Sequence, residues 1–272
     1  MCDRFRLRTV DNWSPAVRAL LRDLVDEVSG ALGPSLSGLY AYGSLATPLF
    51  DERISDVDLF GVTDPEPTGA AFHHLEAAHR RLDERHPAWA GRVEFAFVGR
   101  SALDAIRGPG ARIAAKRTGE PFELLHVGPD WLVNLHLVRT RSVALVGPPA
   151  TEFIAEVPVA LLRDGATARA AELRDRLRTA DDPAFQSYAV LSACRSLYTF
   201  DRGDFAPKPV AADWAATRFP EHAPVIARAL EIRDLGPAAA DADPLDGTGF
   251  VHAVAELLLA GQRGERRLHS DA

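Results

Sequence analysis

Cysteine is almost missing from this 272-residue chain, which has only Cys2 and Cys194. A disulfide framework or a cysteine-based zinc site needs more, so neither is expected. Cys194 falls among apolar neighbours and reads as a small core residue. Also missing is any run of about eighteen apolar residues, so no membrane-spanning helix and no membrane partner is expected. The first residues, with Asp3, Arg4, Arg6 and Arg8, lack the apolar centre of a signal peptide, and the expectation is a cytoplasmic protein. No Lys/Arg-rich block appears, only scattered arginines near the C-terminus, and the net charge is −7. Proteins that track a nucleic acid backbone carry a basic face, so this balance argues against nucleic acid and suits a small cationic partner.

What is present centres on Gly43-Ser44 and, a short loop later, Asp56-Val57-Asp58. The run from Ile54 to Val62 reads as a strand, and residues two apart on a strand share a face, so Asp56 and Asp58 stand side by side. Two carboxylates at the inner end of such a strand are costly unless a cation lies between them, and hard oxygen ligands suit Mg²⁺. Leu36 to Tyr42 reads as the preceding strand. It ends in Gly43, which lets backbone approach a ligand, and Ser44, which offers an N–H and a hydroxyl to phosphate. Ser55 is placed to do the same. In Arg92 to Val98, residues 93, 95 and 97 are apolar, so Glu94 points the other way. If that strand lies beside the Asp-x-Asp strand, three acids meet, as two-metal phosphoryl transfer requires. Glu94 is then either a metal ligand or a general base.

These residues resemble the active-site signature of the nucleotidyltransferase superfamily with the DNA polymerase β-like fold. A closer resemblance is to the aminoglycoside (streptomycin/spectinomycin) 3''-adenylyltransferase family. It is carried by Ser142-Val143-Ala144-Leu145-Val146-Gly147-Pro148, by Arg195, and by Ala206-Pro207-Lys208-Pro209-Val210-Ala211-Ala212-Asp213-Trp214-Ala215. The resemblance implies ATP as substrate, Mg²⁺ as cofactor, and transfer of AMP to a hydroxyl of an aminoglycoside or aminocyclitol. It assigns Arg195 and Lys208 to the triphosphate, against the plainer reading of Arg195 as the partner of Asp201 or Asp213. It makes Trp131 an acceptor-stacking or a core residue. Of the family's acidic acceptor stretch only Asp181 and Asp182 remain, ahead of Pro183 to Tyr188. That departure keeps a second acceptor class open: a protein, a tRNA end or a specialised metabolite. A non-catalytic nucleotide-binding module is the third reading.

In chain order, Ser14-Pro15 opens a helix with apolar positions from Val17 to Leu32, stopped by Gly33-Pro34. A second helix runs from about Thr68 to Arg85. Residues 101–131 are read as a short helical piece at 103–106, a break at Gly108-Pro109-Gly110 and a strand near Pro121 to Leu125. Leu132 to Val138 has mixed periodicity, and Val143 to Val146 is a short strand. Beyond the Gly147-Pro148-Pro149 turn, five amphipathic segments follow: 159–179, 184–200, 209–219, 223–235 and 250–259. Residues 238–246 read as a loop and 261–272 as a frayed polar tail. The expected architecture is an α/β nucleotidyltransferase domain, a mixed sheet with flanking helices, over 1–150. An all-α bundle over 151–272 closes over nucleotide and acceptor, in a monomer or homodimer. His73, His74, His79 and His86 read as a solvated helix face, not a metal site.

Overall fold

Ser14 starts the first element in the way its sequence dictates. Its hydroxyl oxygen accepts from Val17 N at 3.2 Å, Pro15 takes the first helical position, and α1 runs Pro15–Leu32. The computed structural model describes residues 13–270; Cys2 and the charged residues at 3–8 lie outside the described residues. The chain divides into two compact units, one of residues 1–128 and 134–156, the other of residues 129–133 and 157–272.

The first unit is built on six strands: β1 (Leu36–Tyr42), β2 (Val57–Thr63), β3 (Val93–Gly99), β4 (Ala111–Lys116), β5 (Phe122–Val127) and β6 (Val143–Val146). Their order is β5-β4-β3-β2-β1-β6, and only the β2–β3 pair is parallel, as the crossover through α2 (Ala70–Arg85) permits. The mixed sheet with flanking helices is as expected. Alternation along the strands sends Leu39, Ala41, Leu59, Phe95, Phe97 and Ala114 into one apolar core with Leu20, Leu21 and Leu24 of α1 and Leu75 and Leu82 of α2. The opposite parity carries Tyr42, Asp58 and Glu94 to the other face. His79, expected on a solvated face, is instead 4% exposed and its Nε2 lies 2.8 Å from Val93 O.

One expected boundary moves, and two elements appear where the sequence assigns none. β2 begins at Val57, because Ile54 and Ser55 N–H donate to Asp51 O at 3.1 and 2.8 Å and close a turn. Leu132 to Arg141 is a helix, α3, preceded by a tight turn over Pro129–Trp131. β4, over residues to which the sequence analysis assigns no element, pairs with both β3 and β5.

The outer faces of α1 and α2 are joined by an ion-pair network. Arg81 Nε donates to Glu27 Oε2 at 2.8 Å, Arg85 reaches Glu27 and Asp23, and His86 Nε2 lies 2.9 Å from Asp23 Oδ2. The bond with His86, then that from Arg85, holds Asp23 below its ordinary 3.8; Arg81, then Arg85, holds Glu27 below 4.5. Depressed carboxylates contribute stability that is complete above their unfolded values and lost as pH falls through the lower folded ones. Acid titration below pH about 4.5 should therefore lower the Tm, and Glu27→Gln should flatten that limb by about 1–4 °C, since exposed pairs are individually small. Scanning calorimetry between pH 5 and 3 at low and high salt reads this, and identical limbs in variant and wild type would remove the network from the account.

The second unit is helical: α4 (Val159–Arg176), α5 (Pro183–Arg202), α6 (Lys208–Arg218), α7 (Ala223–Asp234) and α8 (Thr248–Ser270). All five expected segments form. Their shared core includes Leu173, Val190, Leu197, Ala212, Ile226 and Val254, with Cys194 fully buried. Burial pushes the Cys194 thiol up to about 12, so it stays protonated and inert. The segment read as a frayed tail continues α8 to Ser270; Asp271 and Ala272 lie outside the described residues. Residues 236–241 of the expected loop wind into a short 3₁₀ turn.

Candidate active site

Asp58 and Glu94 are paired in register on parallel β2 and β3, and Tyr42 is paired with Asp58 across β1. Three strands thus place Tyr42, Asp58 and Glu94 in one row on the sheet face away from the α1/α2 core. Asp56 lies one residue ahead of β2, and it and Asp58 are half-buried on either side of the fully buried Val57. β1 ends at Tyr42, and a short 3₁₀ turn over Gly43–Ala46 follows. Gly43 sits at φ +65°, and a Cβ there would overlap the Asp58 carboxylate at Oδ2. The glycine is needed twice, for its backbone conformation and for the space beside Asp58. Ser44 follows at the start of the turn, its carbonyl accepting from Thr47 N and Oγ1, both at 2.9 Å.

Glu94 Oε1 accepts from Thr118 N at 2.8 Å, so the β4–β5 turn fixes the carboxylate's orientation. Beside it Arg117 pairs with Glu123 at 2.9 Å. Among the described residues no group of three His, Cys, Asp or Glu side chains is arranged to hold a metal ion by itself. Asp56 and Asp58 with the space kept open by Gly43 suit a hard cation, since Mg²⁺ is commonly held by one or two carboxylates with substrate phosphates completing its shell. Ser55, expected as a phosphate contact, is 6% exposed, and its Oγ accepts from Asp51 N at 3.2 Å, closing the turn before Asp56.

The helical unit holds the remaining candidates. Lys208, one of only two lysines among the 31 basic residues, opens α6 after Pro207, and its Nζ lies 4.9 Å from the centroid of the Tyr188 ring. Arg169 hydrogen-bonds the Tyr188 hydroxyl and pairs with Glu172. Two cations therefore converge on Tyr188, and the sequence reading named neither Arg169 nor Tyr188 as a site residue. Only the chemical character of Tyr188, a ring with a polar tip inside an apolar helix, could have signalled it. Arg195 is half-buried in mid-α5; its guanidinium lies 5.3 Å over Phe205, and its Nη2 donates to Ser192 Oγ at 3.5 Å. Asp182 is the N-cap of α5, its Oδ2 accepting from Phe185 N at 2.8 Å. Asp181 is exposed and lines an open cavity of about 440 Å³ with Arg178, Gln186, Leu245 and Asp246. Trp131 is half-buried in the turn before α3, where Gly165 of α4 brings its backbone close to Pro129 O.

Comparison with known proteins bears on both units. Residues 152–256 match the family model of the aminoglycoside adenylyltransferase C-terminal domain. The resemblance read from the sequence is borne out. An aminoglycoside (3'')(9) adenylyltransferase from Klebsiella pneumoniae is 35% identical over 140 residues, 49% of this chain and 50% of that protein. One from Rhizobium radiobacter is 36% identical over 115 residues, 40% of each. The chain thus spans half or less of the length of the curated relatives it matches. A spectinomycin adenyltransferase from Enterococcus faecialis, solved with ATP and spectinomycin, shares the fold at a TM-score of 0.72, covering 89% of this chain and 98% of that one at 16% identity. Among the described residues no helix is long and apolar enough to cross a membrane.

Proposed function

We propose that the chain is a Mg²⁺-dependent adenylyltransferase that moves AMP from ATP to a hydroxyl of a small cationic acceptor, an aminoglycoside or aminocyclitol. The observation that carries this reading is the Asp58–Glu94 register beside Gly43, with Asp56 next to it; the 3'' and 9 adenylyltransferase relatives supply the acceptor class. Asp56 and Asp58 would hold the ion, which when bound neutralises triphosphate charge. Gly43 and Ser44 would present backbone and hydroxyl to the phosphates, and Arg195 and Lys208 would add positive charge. Glu94, held by Thr118 N–H, takes the proton from the acceptor hydroxyl as its oxygen bonds the α-phosphorus and the bond to the bridging oxygen of the leaving pyrophosphate breaks.

Radiolabelled ATP with streptomycin and with spectinomycin tests this directly. The expected result is one pyrophosphate released per labelled AMP transferred to at least one of the two, with no transfer when EDTA is present. ATP binding without transfer to either drug would discard that acceptor class. One observation favours a different acceptor on the same chemistry. Asp182 is engaged as a helix cap, and Phe185 and Tyr188 are covered by Arg176 and Lys208, so the stretch offers a cationic sugar little but Asp181.

A further inference from the structure

We infer that Arg92 is the positioning residue for Asp56, an inference that rests on the adenylyltransferase reading above. Asp56 precedes β2, and the β2–β3 ladder begins only at Val57 and Val93, so strand pairing does not fix its backbone. Arg92 does so from both sides. Its Nη2 donates to the Ser55 carbonyl, which belongs to the peptide entering Asp56. Its own carbonyl accepts Val57 N at 2.8 Å, which belongs to the peptide leaving Asp56. With both flanking peptide planes held by one residue, the Asp56 backbone, and with it the Cα–Cβ bond from which the carboxylate departs, is set.

The same Nη2 also donates to Glu52 O at 2.8 Å, gathering the loop's other end. The guanidinium is held in turn, 4.7 Å over the centroid of Trp89, whose ring is stacked with Phe50 at 6.2 Å. Phe50 and Trp89 thus flank the loop that Arg92 closes, and Trp89 is anchored in the sheet's apolar core. Arginine suits this task because a single amino nitrogen of its rigid, always-charged guanidinium carries two N–H donors, one for each carbonyl. Arg92 reaches neither metal nor nucleotide in this role; it acts through Asp56.

The test is calorimetric titration of Mn²⁺ with a non-hydrolysable ATP analogue into wild type, Arg92→Ala and Arg92→Gln, with the Tm of each. Arg92→Ala should weaken binding about 10–100-fold, the range for groups that orient metal ligands, while its Tm stays within a few degrees. Arg92→Gln, which keeps one donor, should lose less. Wild-type affinity in folded Arg92→Ala overturns the inference and leaves the adenylyltransferase reading standing. If Arg92→Ala does not fold, wild-type affinity in Arg92→Gln overturns it equally. Failure of the wild type itself to bind the metal and analogue would remove the functional reading on which the inference rests.

Discussion

Asp58→Asn, and separately Asp56→Asn, should give folded proteins whose adenylyl transfer has fallen at least about 10³-fold, equivalent to ~4 kcal/mol of transition-state stabilisation. Asparagine preserves size and one acceptor oxygen at each position but removes the charge that a hard cation needs. The same substitution makes a distinct prediction about stability. Asp58 stands directly beside Glu94 across the β2–β3 pair, and like charges placed opposite each other destabilise a sheet. Neutralising Asp58 should therefore hold or raise the Tm while activity collapses. Acids kept for packing would show the reverse, a lower Tm with little change in rate. Turnover and Tm measured on both variants separate the two cases, and wild-type turnover in either one would end the assignment of these aspartates.

The elements legible in the sequence were those in which one signal acted alone. α1 has a capping serine, an N-terminal proline and an uninterrupted stripe from Val17 to Leu32, and it forms as written. The five helical segments of the second unit were read equally well because each has an apolar face bounded by Gly or Pro. β4 escaped because Ala111 to Lys116 offers only Ile113 as a large apolar residue; its alanines become buried through pairing with β3 and β5, which is tertiary context. α3 escaped for a related reason. Leu132, Leu135, Leu137 and Val138 are all buried, so the helix has no clean polar face from which a period can be read.

The candidate site shows the same division. The aspartates and Glu94 were visible because charge inside an apolar strand is conspicuous, and the register of β2 with β3 brings Asp58 and Glu94 together as that reasoning required. The supporting residues were not visible. Arg92, Thr118 and Tyr188 act through a guanidinium on main-chain carbonyls, a backbone N–H and a ring face, and none of these leaves a mark in residue order. Ser55 has a structural part that residue order does not show either. Its side-chain oxygen closes the turn that leads into Asp56.

Glu94→Gln should separate the two roles open to this residue. The amide oxygen of glutamine can still accept from Thr118 N, so the side chain keeps the orientation that the β4–β5 turn imposes. What it loses is basicity. If Glu94 takes the acceptor's proton, transfer should fall about 10²–10⁴-fold, the usual contribution of a positioned base, while binding of Mn²⁺ with the ATP analogue stays within about threefold of wild type. If Glu94 is a ligand, binding and transfer should fall together, because the ion would lose charge before chemistry begins. The geometry favours the first outcome: Oε1 is turned to the Thr118 N–H. Equal losses in binding and rate would return Glu94 to the metal and leave the acceptor proton to water or to another side chain on the same face, of which Tyr42, paired with Asp58, is the nearest by register.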